Sequence, residues 1–296
     1  MAAVLLPFDD QGHIAEAAFQ HCVQETFSAG LTPAVNMDTG YVNLLDDSEK
    51  LRVLDLTREV SHGRSFVAGA FIEGADGDIV ELYQRQMDHI VGHGGTPILF
   101  QTSRTHAMDS KHKVEVYARA VKGLEKAYAF ELGRMFAPNG EIWDLETFER
   151  IIQIPEIIGA KHSSLDRTEE LRRLEIRDRI RPEFKVLTGN DLGIDMVEFG
   201  SDYLLGLATF APSKFAERDR YWTSGDARYL EIADSLQFLG NLAFRPPVPA
   251  YKHSAAIFLH MTGKIPTSQT HPRSAKRPSW EAEVLAECAR RLGLLQ

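Results

Sequence analysis

Short apolar runs alternate with amphipathic stretches at a steady pace through the first two thirds of the chain. Residues 4–6 read as a strand and 14–28 as the helix after it. Residues 31–36 lead to a helix opened by Asp46-Asp47-Ser48, whose side chains can accept the free N–H groups of a first turn, with Glu49 in that turn. The pattern then repeats: strand 66–70 with helix 79–91, strand 97–101 with helix 114–122, and strand 127–132 with helix 145–152. It continues through strand 157–160 with helix 169–179, strand 184–187 with helix 194–199, and strand 203–207. Several of these strands are apolar without alternation, as expected where both faces are buried. Eight such units in about 220 residues predict a (β/α)8 TIM barrel, of class α/β, over a doubly wound sheet.

After Pro212 the rhythm changes. Helical spacing returns at 229–239, 254–261 and 280–295, separated by the Pro-punctuated stretches Arg245-Pro246-Pro247-Val248-Pro249 and 264–278. The expected organisation is a barrel over 1–220 and a helical C-terminal region over 221–296.

Composition narrows the function. With 44 % hydrophobic and 25 % charged residues, the 296-residue chain has the make-up of a globular protein with a full core. A net charge of −9 argues against nucleic acid, whose phosphates call for clustered Lys and Arg. No apolar run approaches the ~20 residues of a membrane span, and the N-terminus reaches Pro7 without a basic segment, so neither a membrane nor a signal peptide is expected. Only Cys22 and Cys288 occur, which suits a reducing, cytoplasmic setting.

The chemistry centres on Ile157-Ile158-Gly159-Ala160-Lys161-His162-Ser163-Ser164. A lysine at the C-terminal end of a barrel strand sits where such folds place their reactive groups. Among apolar neighbours an amine loses part of its preference for charge, and the neutral form attacks carbonyls. The plain alternative is a lysine that snorkels to the surface. His162 is expected to point to the opposite side of the strand. His89 and His93 are four residues apart at the trailing end of a helix with no carboxylate beside them, which predicts no metal site.

The order of motifs resembles the dihydrodipicolinate synthase / N-acetylneuraminate lyase group of class I aldolases. Leu6-Pro7-Phe8-Asp9 with Gly12 is similar to the opening T-P-F-x-x-D-G, and Gly63-Arg64 with Val67-Ala68-Gly69 to the third-strand G-R-x-P-V-I-A-G. Ile154 through Ser164 matches P-N-I-V-G-I-K-x-S-S and places Lys161 on the Schiff-base lysine. Gly189-Asn190-Asp191 is similar to G-x-D. Residues 200–212 resemble the eighth-strand segment, with Leu205 at the usual Ile, and Pro249-Ala250-Tyr251-Lys252 with Gly263 resembles the P-x-x-x-K…G helix. The resemblance implies a (β/α)8 barrel, a 2-oxo acid substrate such as pyruvate held as a Schiff base, no cofactor, and a homo-oligomer, either dimer or tetramer.

Departures are as informative. The family's G-T-T-G-E carboxylate loop appears as Met37-Asp38-Thr39-Gly40-Tyr41. The fifth-strand Y-N-x-P-x-R-T-G aligns with 133–140, putting Gly133 at the proton-shuttling Tyr and Pro138 at the substrate-binding Arg, while a slip of two puts Glu131 at the Tyr. Ser103-Arg104-Thr105 stands for P-Y-Y, a contact surface in the family's oligomers. Thr39 and the Gly40 N–H are then expected to donate to the substrate carboxylate, with an ordinary Thr-Gly turn as the alternative. Tyr41, Glu131, Arg134 and His106 are the candidate proton shuttles. Glu131 is expected to have a raised pKa in its apolar strand, or else to pair with Arg134 or Lys161. Losing the Arg at Pro138 and gaining Asp38 disfavours a second substrate carboxylate unless Arg134 or Arg104 compensates. The expected function is a lyase or hydro-lyase acting on a 2-oxo acid. The alternative is a family-shaped binding protein that does not turn over.

Overall fold

The computed structural model describes residues Met1–Gln296. Eight strands lie in one parallel sheet in chain order: β1 (Ala2–Ala3), β2 (Pro33–Val35), β3 (Phe66–Ala70), β4 (Gly95–Leu99), β5 (Ala127–Leu132), β6 (Ile157–Ser163), β7 (Lys185–Thr188) and β8 (Asp202–Tyr203). The helices between them are α1 (Glu16–Ser28), α2 (Asp47–Ser61), α3 (Ile79–Gly92), α4 (Ser110–Val121), α5 (Leu145–Ile151) and α6 (Arg167–Ile180). After β8 come α7 (Pro212–Ser224), α8 (Arg228–Ala243), α9 (Tyr251–Met261) and α10 (Glu281–Arg291). Parallel strands in sequential order with helical crossovers make this the expected (β/α)8 barrel fold with C-terminal helices. No helix is long and apolar enough to cross a membrane.

Local chemistry explains the helix starts. Five successive helices, α2 to α6, begin after an aspartate: Asp46, Asp78, Asp109, Asp144 and Asp166. Each carboxylate accepts main-chain N–H groups of the first turn, which have no partner inside the helix. At α2 the Glu49 side chain also reaches back to the Asp46 N–H, closing a capping box.

The sequence reading errs where a helix or strand is short. β1 ends at Ala3 rather than covering 4–6, because the Leu5 N–H turns to the Thr209 hydroxyl (2.9 Å). β8 stops at Tyr203, and 207–209 turns into a single 3-10 coil. Residues 194–199 are also 3-10 rather than α-helix. Helix α7 was not anticipated, although Pro212 at its first position is a standard opening.

The chain forms two compact bodies, one of Met1–Arg64 with Leu205–Gln296, the other of Ser65–Leu204. In the first, Leu205 bridges Ala2 in parallel and its carbonyl accepts the Ala3 N–H (3.2 Å). In the second, β5 and β6 pair so that Phe130 stands beside Lys161 and Glu131 beside His162. Side chains alternate along a strand, so Lys161 and Phe130 share one face while Glu131 and His162 share the other. Strands β3 and β5 are buried along their whole length, which accounts for their apolar pattern, interrupted only by Glu131 in β5.

Candidate active site

Strand β6 continues past Ala160, so Lys161 lies within it rather than just beyond its end. The side chain is only 8 % exposed, and its Nζ stands 4.5 Å from the centre of the Phe130 ring. A lysine in this position does not snorkel to water. Space for it comes from the residue just after β7: a Cβ on Gly189 would lie 2.6 Å from the Lys161 Cε and 2.9 Å from the His162 carbonyl. The glycine of Gly189-Asn190-Asp191 therefore has a local reason, which is to leave room for the amine's stem.

Glu131 corrects the sequence reading. It is fully buried, but its partners are Arg173 of α6 (2.7 and 2.6 Å), His162 (2.9 Å) and the Trp143 N–H (3.0 Å), not Arg134 or Lys161. Burial alone would push the carboxyl up; the electrostatic attraction and hydrogen bonds of His162 and Arg173 outweigh it and hold it at about 2. A carboxylate so held, on the strand face opposite Lys161, stays ionised at neutral pH and is poorly placed to move protons.

The segment aligned with the family's tyrosine also has a physical explanation. A side chain on Gly133 would meet the Ser163 carbonyl at 2.5 Å, and one on Gly140 would meet the Leu132 carbonyl at 2.3 Å. This backbone is drawn in too tightly for a tyrosine. Gln101 holds it there, its Oε1 accepting the N–H groups of Leu132 (2.8 Å) and Glu141 (3.2 Å). Pro138 and Arg134 are exposed, and the Arg134 guanidinium turns to the Gly140 carbonyl (3.4 Å). Arg104 bonds the Gly77 carbonyl (2.6 Å), and the His106 ring bonds that of Asn139 (3.0 Å).

In the other body, Asp38-Thr39-Gly40 forms one 3-10 turn after β2, closed by Tyr41 at φ 59°. Each of its residues has a partner within this body. The Gly40 N–H is taken by the Met37 carbonyl (3.0 Å). As the first N–H groups of a one-turn helix, those of Asp38 and Thr39 are the turn's open donors. The Thr39 hydroxyl is 2.8 Å from that of Tyr251. Asp38 accepts from the Tyr251 hydroxyl (2.9 Å) and from the Lys252 ammonium (3.0 Å). Its charge is therefore matched, by Lys252 and not by Arg134 or Arg104. Tyr41 is fully buried against Phe8 and His271, and burial together with Asp38 pushes its phenol far above the usual range, which disfavours it as a shuttle.

Tyr251 and Lys252 entered the sequence reading only as part of a resembling helix. Their signal was a lysine amid the apolar run Ala250-Tyr251-Lys252-His253-Ser254-Ala255-Ala256-Ile257-Phe258, a charge with no reason to be buried unless paired. No group of three or more His, Cys, Asp or Glu side chains is arranged to hold a metal ion, and the His93 ring bonds the His89 carbonyl (2.6 Å) as a helix-end contact.

Comparison with known proteins agrees with this architecture. The family described as "Protein of unknown function (DUF993)" matches residues 24–295. A 4-hydroxy-tetrahydrodipicolinate synthase of Bartonella quintana (strain Toulouse) is 27 % identical over 282 residues, covering 92 % of this chain and 91 % of the relative. Among solved structures, the Thermotoga maritima dihydrodipicolinate synthase superposes with a TM-score of 0.84 at 18 % identity, over 99 % of this chain and 98 % of that one. YagE, a prophage protein of the dihydrodipicolinic acid synthase family from E. coli K12, solved with pyruvate, gives 0.85 at 13 % identity over 99 % and 98 %. The N-acetylneuraminate lyase of Mycoplasma synoviae gives 0.76 at 14 % identity over 98 % and 96 %. The chain thus belongs to the DUF993 family, and it shares its fold with the dihydrodipicolinate synthases and N-acetylneuraminate lyase, which it resembles in motif order.

Proposed function

We propose that the protein is a Schiff-base-forming lyase or hydro-lyase acting on a 2-oxo acid, with Lys161 as nucleophile. The observation that carries this is the buried Lys161 amine on β6, set across Phe130 and given room by Gly189. A neutral amine there adds to the 2-oxo carbon, water leaves, and the iminium accepts electrons from the adjacent carbon–carbon bond during cleavage, condensation or dehydration. In this reading Thr39 and the open N–H groups of its turn receive the substrate carboxylate, and Leu205 contributes apolar wall. Glu131, ionised in its ion pair, and Tyr41, buried with a raised pKa, are not assigned the proton shuttle.

Asp38 no longer weighs on the choice of substrate, since Lys252 neutralises it. The loss of an arginine at Pro138 remains. We therefore favour a 2-oxo acid whose distal end is neutral, hydroxylated or aromatic. Cytoplasmic location and a homo-oligomer belong to the same proposal.

Borohydride reduction in the presence of pyruvate, read by peptide mass, is the direct test. A pyruvate-sized adduct on Lys161 supports the reading. Absence of any adduct across a panel of 2-oxo acids would favour the binding-protein alternative. Efficient condensation of pyruvate with aspartate semialdehyde would refute the substrate preference.

A further inference from the structure

The opposite face of β6 carries a second set of reactive groups. Ser164 follows the strand, and its Oγ lies 2.6 Å from Nε2 of His162. Nδ1 of the same ring lies 2.9 Å from Oε2 of Glu131. Hydroxyl to Nε2 and Nδ1 to carboxylate is the connection of a serine–histidine–acid relay, in which the acid orients the ring and the ring takes the hydroxyl proton. The acid is immobile, fixed by Arg173 and the Trp143 N–H. We propose that Ser164 is an activated nucleophile for acyl transfer from small neutral carboxylic esters, independent of Lys161.

Further features fit. The Ser164 Oγ accepts the Asp166 N–H at 3.0 Å and reaches the Asp166 carbonyl at 3.4 Å, and the much shorter His162 Nε2 contact of 2.6 Å is the better acceptor of its proton. The serine sits on a strand–turn–helix corner, between β6 and α6, with Leu165 in the left-handed region at φ 64°. The Leu165 N–H is engaged by no carbonyl or side chain, and the N–H after the nucleophile is the donor such corners aim at a developing oxyanion. His162 is buried, whereas Ser164 and Leu165 are half-buried and the following Asp166, Arg167 and Thr168 are exposed, so a small ester reaches the hydroxyl from solvent. Asp166 and Glu169 beside the corner disfavour anionic acyl donors.

The chemistry balances with water alone. The Ser164 Oγ bonds to the ester carbonyl carbon as its proton passes to His162 Nε2. The carbon–alkoxy bond then breaks, and the leaving alkoxide takes that proton. Water repeats the two steps and releases the acid. Because Arg173 shares the Glu131 charge, the orienting acid is weaker than an unshared one, and slow turnover is expected.

The test uses the intact protein with a neutral alkyl fluorophosphonate, mapped by peptide mass, and with p-nitrophenyl acetate. Ser164 should label ~100-fold faster than the exposed Ser213, and His162→Gln should slow its labelling by a similar factor. Ser164→Ala should abolish ester turnover. Labelling of Ser164 no faster than Ser213, or unchanged in a folded His162→Gln, overturns the proposal. The Ser164–Ser213 comparison needs no variant, so it decides even if His162→Gln fails to fold. The readout is the Ser164 peptide, so the result stands whether or not Lys161 forms an adduct.

Discussion

The Asp38 carboxylate takes one hydrogen bond from the Lys252 ammonium and another from the Tyr251 hydroxyl, with all three side chains buried. Removing one member of such a pair leaves a buried charge unmatched. Lys252→Met should destabilise the fold by about 3–5 kcal/mol in urea titration, and adding Asp38→Asn should restore much of the loss. A double variant as unstable as the single one would show that the pair is not what Lys252 supports. Gly189→Ala tests the other body: its methyl would stand 2.6 Å from the Lys161 Cε and 2.9 Å from a carbonyl that cannot yield. Overpacking of this kind costs ~1–3 kcal/mol, and we expect the borohydride-trapped adduct on Lys161 to fall with it. Lys161 itself was legible because its signal is contiguous, an apolar strand running into a lysine and small residues. Asp38 was misread because its partners lie 213 and 214 positions away, and nothing local names them. For Glu131 the burial was legible, whereas the sign of its shift depended on His162 and Arg173, 31 and 42 positions on.

The aspartates that open α2 to α6 make the start of each of these helices a local event. The seven-residue α5 has few main-chain bonds of its own, so it depends most on its cap, the Asp144 carboxylate on the Thr147 N–H at 2.7 Å. Asp144→Ala should cost ~1 kcal/mol, read as a lowered denaturation midpoint, whereas Asp144→Asn should cost a few tenths. Equal losses for the two would mean charge, not capping, is at work. Strands that are apolar runs of five or six residues were read from the chain at their observed bounds, β3 and β5 among them. The short pieces were not, since a two-residue strand such as β8 or a 3-10 turn such as 194–199 has no period to recognise and is set by tertiary partners.

Acid stability of the whole chain has a signature in Glu131. Its folded pKa of about 2 lies below the ordinary 4.5, so its contribution is complete above the unfolded value and is lost as pH falls from about 4.5 towards 2. Glu170 works the other way: burial, partly offset by hydrogen bonds from Ser201 and Thr188, raises its pKa, so its share is lost as pH rises through the folded value. Glu131→Gln should therefore be less stable than the wild type at pH 7, yet lose less of its melting temperature between pH 5 and pH 3. Parallel melting curves for the two proteins across that interval would contradict the assignment. The Asp38–Lys252 pair has a further consequence, in time rather than in space. A ribosome makes Asp38 more than two hundred residues before the cation that matches it. Until α9 has emerged, the 38–40 turn has an acid it cannot bury, so the nascent chain has reason to keep that turn hydrated and open. Chains truncated before Tyr251 should accordingly stay protease-sensitive around this turn, however well the strands upstream have formed.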